Sequence, residues 1–303
     1  MITAKINAQA IVGICLYLFL LAGCSSRARN VEQVLIKGSD TEVNLALALS
    51  ETYMNRDSNI SIAVTGGGSG MGIAALINGK TSIANSSRPF RPEELVLARE
   101  RGIHPLPIVF AVDALALIVN EQLNVDSLSF DQLQAVFSGE IRNWRALGGP
   151  DRTITLYGRQ SNSGTYVFFR DSILQREYTP ELKQLNGNAQ IVEGIRNDPA
   201  GIGYVGVGYI LKEEEQAISG LKVLRVQGEG EERAFSPLQM ENVLENHYPI
   251  IRPLYQYTDG RPQGKLEDFI RFTLSEEGQR IVAENGYYPI QADYRERNRK
   301  VLN

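Results

Sequence analysis

Four short polar clusters in this chain carry the residue types that hold a small anion. They are Gly38-Ser39-Asp40-Thr41-Glu42, Thr65-Gly66-Gly67-Gly68-Ser69-Gly70, Asn85-Ser86-Ser87-Arg88-Pro89 and Arg159-Gln160-Ser161-Asn162-Ser163-Gly164-Thr165. Glycines let a backbone come close to a ligand and free N–H groups at a helix start, where the helix dipole favours negative charge. Ser69, Ser163 and Thr165 add hydroxyls, and Arg159 adds a planar fork matched to two oxygens of one oxyanion. Taken singly, the serines and threonines also read as helix caps, the glycine run as a flexible turn, and Arg159 as a surface residue beside a Ser163 cap. Together the four clusters describe an anion site built from neutral donors, dipoles and one arginine.

Three catalytic signatures come close and fail. A nucleophile elbow around Ser69 and a dinucleotide fingerprint from Gly66 both need glycine where Met71 stands. A phosphate loop ending in Gly79-Lys80-Thr81 needs glycine where Ala74 stands. No metal-ligand set, general base or nucleophile accompanies the clusters, so the chain reads as a binder without cofactor or metal, and not as an enzyme.

Each cluster sits where a strand-like run gives way to a helix-like one, which is where open α/β sheets collect their ligands. The strand-like runs are Val34–Lys37, Ser61–Val64, Ser82–Ala84 and Thr153–Tyr157, and the helix-like runs include Leu45–Met54, Ile73–Ile77, Pro92–Arg101 and the segment after Gly164. This alternation predicts an α/β fold with largely parallel pairing. Ile108–Asn120 is apolar except for Asp113 and is long for one strand, so it is expected to pass between two lobes. Gly203–Val207 reads as a further strand, Lys212–Glu215 as a solvated charged run, and the chain beyond Arg233 as helical (Pro237–Asn246, Leu266–Ser275, Glu277–Asn285), closing with a charged helix at Asp293–Lys300.

The bulk numbers bound the rest. The 303 residues allow two domains, and a net charge of −4 gives no footprint for nucleic acid. Lys5 precedes an apolar run, Ile11–Leu21, of about 11 residues, too short for the ~20 that span a bilayer. Such a run after a positive start reads as an export signal, residues 1–23. It ends in Leu21-Ala22-Gly23-Cys24, which resembles a bacterial lipobox and implies lipidation of Cys24, followed by a tether over residues 24–32. With Cys15 removed and Cys24 acylated, the mature chain keeps no thiol for a disulfide, a nucleophile or a metal. The protein is then expected to be lipid-anchored and to face the periplasm or the cell exterior.

The order Gly38-Ser-Asp-Thr, Gly66-Gly-Gly-Ser-Gly, Ser87-Arg88, Asp113 and Arg159…Ser163-Gly164-Thr165 resembles the periplasmic phosphate-binding PstS family. So do Phe137-Ser-Gly-Glu-Ile-Arg-Asn-Trp144, Gly201-Ile-Gly-Tyr204 and Arg252-Pro-Leu-Tyr-Gln-Tyr-Thr258. The resemblance runs from about Val34 to Ile290 and implies a type II periplasmic-binding-protein fold. Two lobes, each a mixed, mostly parallel sheet flanked by helices, would be joined by a two-strand hinge, with residues 33–113 and 230–303 in lobe 1 and 114–229 in lobe 2. It implies capture of inorganic phosphate for the permease of an ABC importer by a monomer. The implied phosphate ligands are Ser39, Asp40, Thr41, Ser69, Ser87, Arg159, Ser163, Gly164 and Thr165, with Arg88 and Asp113 behind them.

One departure bears on specificity. Better-known members carry aspartate at the position of Ser87 and a hydroxyl at that of Asp40, and here the two types are exchanged. Asp40 is therefore expected to accept the proton that phosphate carries and sulfate lacks, with Asp113 as alternative acceptor or as a structural partner of Arg88 or loop amides. Glu42 reads as a surface carboxylate in a first helical turn. Another oxyanion (sulfate, molybdate or a phosphonate) and a phosphate-sensing surface lipoprotein are the alternative functions.

Overall fold

The computed structural model describes residues 31–212 and 216–303. The export segment, Cys24, most of the tether and part of the charged run at Lys212–Glu215 lie outside the described residues.

In chain order the first stretch is β1 (Glu32–Gly38), α1 (Val43–Met54), β2 (Ile60–Thr65), α2 (Ser69–Ile77), β3 (Ile83–Ser86), α3 (Pro92–Glu100) and β4 (Pro105–Asn120). The middle stretch holds β5 (Ser127–Ser129), α4 (Phe130–Ser138), β6 (Thr155–Arg159), α5 (Gly164–Phe168), β7 (Lys183–Leu185), α6 (Asn188–Arg196) and β8 (Gly201–Gly206). There follow β9 (Leu211–Lys212), β10 (Gln216–Ala217), β11 (Leu221–Gln227), α7 (Met240–Leu244), β12 (Ile251–Asp259), α8 (Gly264–Leu274), α9 (Glu276–Glu284) and α10 (Ala292–Leu302).

The main sheet runs β2-β1-β3-β12-β4-β8-β6-β7, with β11 paired to β4 and to β5. Its two ends are parallel (β1 with β2 and β3, β6 with β7 and β8), as short α/β units require. Its middle is antiparallel, because β4 pairs in opposite sense with both β12 and β8. From Pro105 to Ala114 β4 pairs with β12, and from Leu115 to Val119 it pairs with β8. One strand thus belongs to both ends of the sheet, and that explains its length and its burial on both faces.

β12 corrects the reading of the chain beyond Arg233 as helical. Ile251–Asp259 is a nine-residue strand between β3 and β4. Its alternation of apolar and polar residues reports a half-polar environment that tertiary pairing, not local propensity, turns into a central strand. β11 and α6 were likewise not read from the sequence.

The buried apolar residues gather around the two ends of the sheet. One core holds Val34, Ile36, Leu45, Leu49, Phe110, Leu254 and Phe269, with Ile73, Leu76 and Tyr257 packed across the sheet. The larger core holds Leu115–Val119, Phe137, Trp144, Phe169, Ile191 and Tyr204, and it takes in Phe235, Val243, Tyr248 and Ile250 from the segment before β12. Among the described residues no helix is long and apolar enough to cross a membrane.

Candidate functional site

The four clusters meet where the two cores face each other. From the first core, Ser39 precedes a one-turn helix (Asp40–Glu42), Ser69 opens α2, and Ser87 follows β3. The Ser39 hydroxyl donates to Ser87 Oγ at 3.2 Å, Ser69 and Ser87 Oγ lie 3.3 Å apart, and the Ser87 N–H donates to Ser69 Oγ at 3.1 Å. Gly68, at φ +106°, turns the chain into α2 and brings it against the second core, where the Gly70 N–H donates to the Asn162 carbonyl at 3.0 Å.

From the second core come Arg159 at the end of β6 and Ser163, Gly164 and Thr165 at the start of α5. Ser163 caps α5, its Oγ accepting the Thr165 N–H at 3.2 Å, so the cap reading holds for this residue and leaves its own proton free. Gly164 faces the serines across the cleft, where a Cβ would sit 2.3 Å from Ser69 Oγ and 2.6 Å from Ser87 Oγ. Thr165 Oγ1 lies 3.0 Å from Thr41 Oγ1. The nine expected ligand residues are therefore drawn into one place.

Arg159 is buried, not a surface residue. Its NH2 donates to the Asn186 carbonyl at 2.7 Å, and NH1 is 3.2 Å from Asp40 Oδ2 without closing a hydrogen bond. Nε and NH1 have no hydrogen-bond partner. Burial pulls its guanidinium below the usual value and the Asp40 charge pulls it back. Asp40 is held on one oxygen only: Oδ2 accepts the Asn188 backbone N–H at 2.9 Å and its side-chain amide at 2.8 Å.

Arg88 turns to Glu94, making two 2.7 Å bonds, and not to Asp113. The partner of Asp113 is Arg252, at the start of β12, whose Nε and NH2 lie 3.1 and 2.9 Å from Oδ2. The pair is almost wholly sealed, with side-chain exposures of 1% and 0%. Burial pushes the Asp113 carboxyl up, and Arg252 acts against that. Arg252 NH2 also donates to Thr165 Oγ1 at 3.0 Å and Thr41 Oγ1 at 3.3 Å, so it touches hydroxyls from both sides of the cleft. Sequence reasoning gave Arg252 no role; the signal open to it was a lone cation at the head of an otherwise uncharged run, Arg252–Thr258. Glu42, expected at the surface, is 0% exposed. The one-turn helix faces it inward, and the Tyr287 hydroxyl bonds the neighbouring Thr41 carbonyl at 2.5 Å.

A buried cation with Nε unpartnered, in a chain whose loops bring hydroxyls and a close-packed glycine together nearby, has the donor chemistry that suits an oxyanion. Residues 25–277 match the PBP superfamily domain. The chain is 30% identical over 283 residues to the phosphate-binding protein PstS of Pseudomonas aeruginosa (88% of this chain, 85% of that protein). It is 31% identical over 281 residues to PstS of Borreliella burgdorferi (90% and 95%). A phosphate ABC transporter substrate-binding protein of Clostridium perfringens, solved with bound phosphate, superposes with a TM-score of 0.74 at 26% identity, covering 86% of this chain and all of that one. With this cleft, this sheet and these relatives, the chain has the type II periplasmic-binding-protein fold and belongs to the PstS family of phosphate-binding proteins.

Proposed function

We propose that this protein captures inorganic phosphate outside the cytoplasm, between its two cores, and delivers it to the permease of an ABC importer without catalysing a reaction. The observation that carries the reading is Arg159, buried with Nε unpartnered and NH1 in an ion pair with Asp40, in a cluster whose neighbouring loops bring together the hydroxyls of Ser39, Ser69, Ser87, Thr41 and Thr165. In this reading Arg159 neutralises the anion. The hydroxyls of Ser39, Ser69, Ser87, Ser163 and Thr165, with the N–H group at Gly164, coordinate its oxygens.

Asp40 accepts the proton of monohydrogen phosphate on Oδ1, its Oδ2 being occupied by Asn188 and Arg159. Sulfate brings no proton and meets a bare carboxylate, which repels it. The two cores act as lobes that part and close around β4, Arg252 lying behind the site. Cys24 carries the lipid anchor, and the protein works as a monomer.

Calorimetric titration of the ligand-stripped protein with phosphate and then sulfate, near neutral pH, tests this. One-to-one phosphate binding with no sulfate signal is expected. Sulfate or molybdate binding with weak phosphate would keep the fold and replace the substrate, and silence toward every oxyanion would reduce the four clusters to helix caps. Asp40→Asn is expected to narrow the phosphate-over-sulfate preference; an unchanged preference would remove Asp40 as acceptor.

A further inference from the structure

The turn Asn186-Gly187-Asn188 joins β7 to α6, a fifth strand-to-helix junction beside the four clusters. It carries no hydroxyl and no charge, yet it holds both charged groups of the cleft. The Asn186 carbonyl accepts Arg159 NH2 at 2.7 Å, and the Asn186 N–H donates to Gln190 Oε1 at 2.9 Å, which fastens the turn to the helix behind it. Two residues on, the Asn188 backbone N–H and its Nδ2 both donate to Asp40 Oδ2, at 2.9 and 2.8 Å. Between them Gly187 leaves room for the carboxylate: a Cβ there would lie 3.3 Å from Oδ1 and 3.4 Å from Oδ2.

Asn188 is 0% exposed, and its own Oδ1 has no protein partner. An unpaired buried acceptor costs free energy, and functional sites are where such departures are kept. The charge of Asp40 explains the orientation of the amide. Turned over, it would set Oδ1 against the carboxylate, acceptor against acceptor. The result is an asymmetric carboxylate. Oδ2 accepts two N–H groups and lies 3.2 Å from Arg159 NH1, whereas among the described residues nothing donates to Oδ1. Asp40 belongs to the first core and Asn188 to the second, so this asymmetry exists only with the cores together.

We propose that Asn188 is a specificity-determining positioning residue: it saturates Asp40 Oδ2 and so leaves Oδ1 alone to meet the proton of bound phosphate. The proposal rests on the phosphate reading of the cleft and on Asp40 as the acceptor. Held this way, Oδ2 forms an ion pair with Arg159 NH1 but no hydrogen bond, and Arg159 keeps Nε open. Without Nδ2 the carboxylate is free to turn and to close on the guanidinium, drawing the cation away from the anion.

The test is calorimetric titration of phosphate, and separately of sulfate, near neutral pH into the wild type, Asn188→Ala, Asp40→Asn and the double variant. Asn188→Ala keeps the backbone N–H and removes Nδ2. With one hydrogen bond to a charged group lost, phosphate affinity should fall about tenfold or more. Sulfate affinity should fall less, so that the preference narrows. In the Asp40→Asn background the same substitution should leave the preference unchanged, because Asn188 acts through Asp40. A wild-type preference in Asn188→Ala would overturn the proposal, and so would an additive loss in the double variant, the mark of a residue that only supports the fold. A wild type that binds no phosphate, or an Asp40→Asn protein with unaltered preference, would instead sink the reading beneath it. Should Asn188→Ala fail to fold, Gly187→Ala asks the same question through shape. Its backbone (φ −141°) accepts alanine, and the added Cβ presses on both carboxylate oxygens. The preference should narrow there too, and only while Asp40 is present; an unchanged ratio would count against Asn188 and its turn.

Discussion

Arg159 and Arg252 are both buried, both lie beside a carboxylate, and both stand at a strand end near the cleft. Their hydrogen bonds separate them. Arg252 has every nitrogen engaged: Nε and NH2 with Asp113, NH1 with the Ser87 carbonyl at 3.4 Å, and NH2 with Thr41 and Thr165 as well. Arg159 closes one bond, to Asn186, and faces an aspartate that is 24% exposed and already held by Asn188. Burial therefore does not identify the ligand-binding cation. Hydrogen-bond occupancy separates the two, because a buried N–H is usually completed by a partner, a ligand or a water, and Arg159 Nε has no protein partner. Arg252 is a strut that orders two threonine hydroxyls; Arg159 keeps a donor open, as the anion site proposed above requires.

The contrast breaks most readily on stability. Arg252→Ala leaves Asp113 sealed without its partner, and removing one partner of a buried pair typically costs about 3–5 kcal/mol, the largest effect expected here. Denaturant unfolding would measure it, and a loss below about 1 kcal/mol would show that Arg252 is not a strut. Arg159→Ala should do the opposite: a modest change in unfolding, but a phosphate affinity weakened by roughly 2–5 kcal/mol, mainly through faster release. Wild-type affinity in that variant would place the anion elsewhere. Gly164→Ala sharpens the picture from the side of shape. Its Cβ would press on Ser69 and Ser87 Oγ at 2.3 and 2.6 Å, so affinity should drop about tenfold or more, near 1.4 kcal/mol, with the fold kept. Unchanged binding would mean that the cleft need not close this far.

Much of the candidate site is legible in the sequence. Ser39, Ser69, Ser87, Arg159, Gly164 and Thr165 announce themselves because a ligand loop at a strand end is a local motif, and its glycines and hydroxyls are adjacent in sequence. The first three strands, the helices that follow them and the long β4 were legible for a related reason, since period and composition act over a few residues. Arg252, Glu42 and Asn188 were not. Arg252 meets Thr41, Ser87, Asp113 and Thr165 from a strand that local pattern did not reveal, and Asn188 reaches Asp40 across 148 residues of chain. Glu42 looked solvated because acids favour first helical turns, yet the one-turn helix turns it inward, where it is fully buried.

What the amino-acid sequence determined by itself is the chemistry on offer: neutral donors, glycine clearance, one candidate arginine, and the family that this order implies. What tertiary structure alone decided is which charges are used up and which remain free. β4 and β12, side by side at the centre of the sheet, bring Asp113 and Arg252 together and seal them. Residues more than a hundred positions apart thereby saturate one arginine and leave the other's N–H groups open. That partition depends on long-range pairing and on exclusion of water, which no stretch of neighbouring residues encodes.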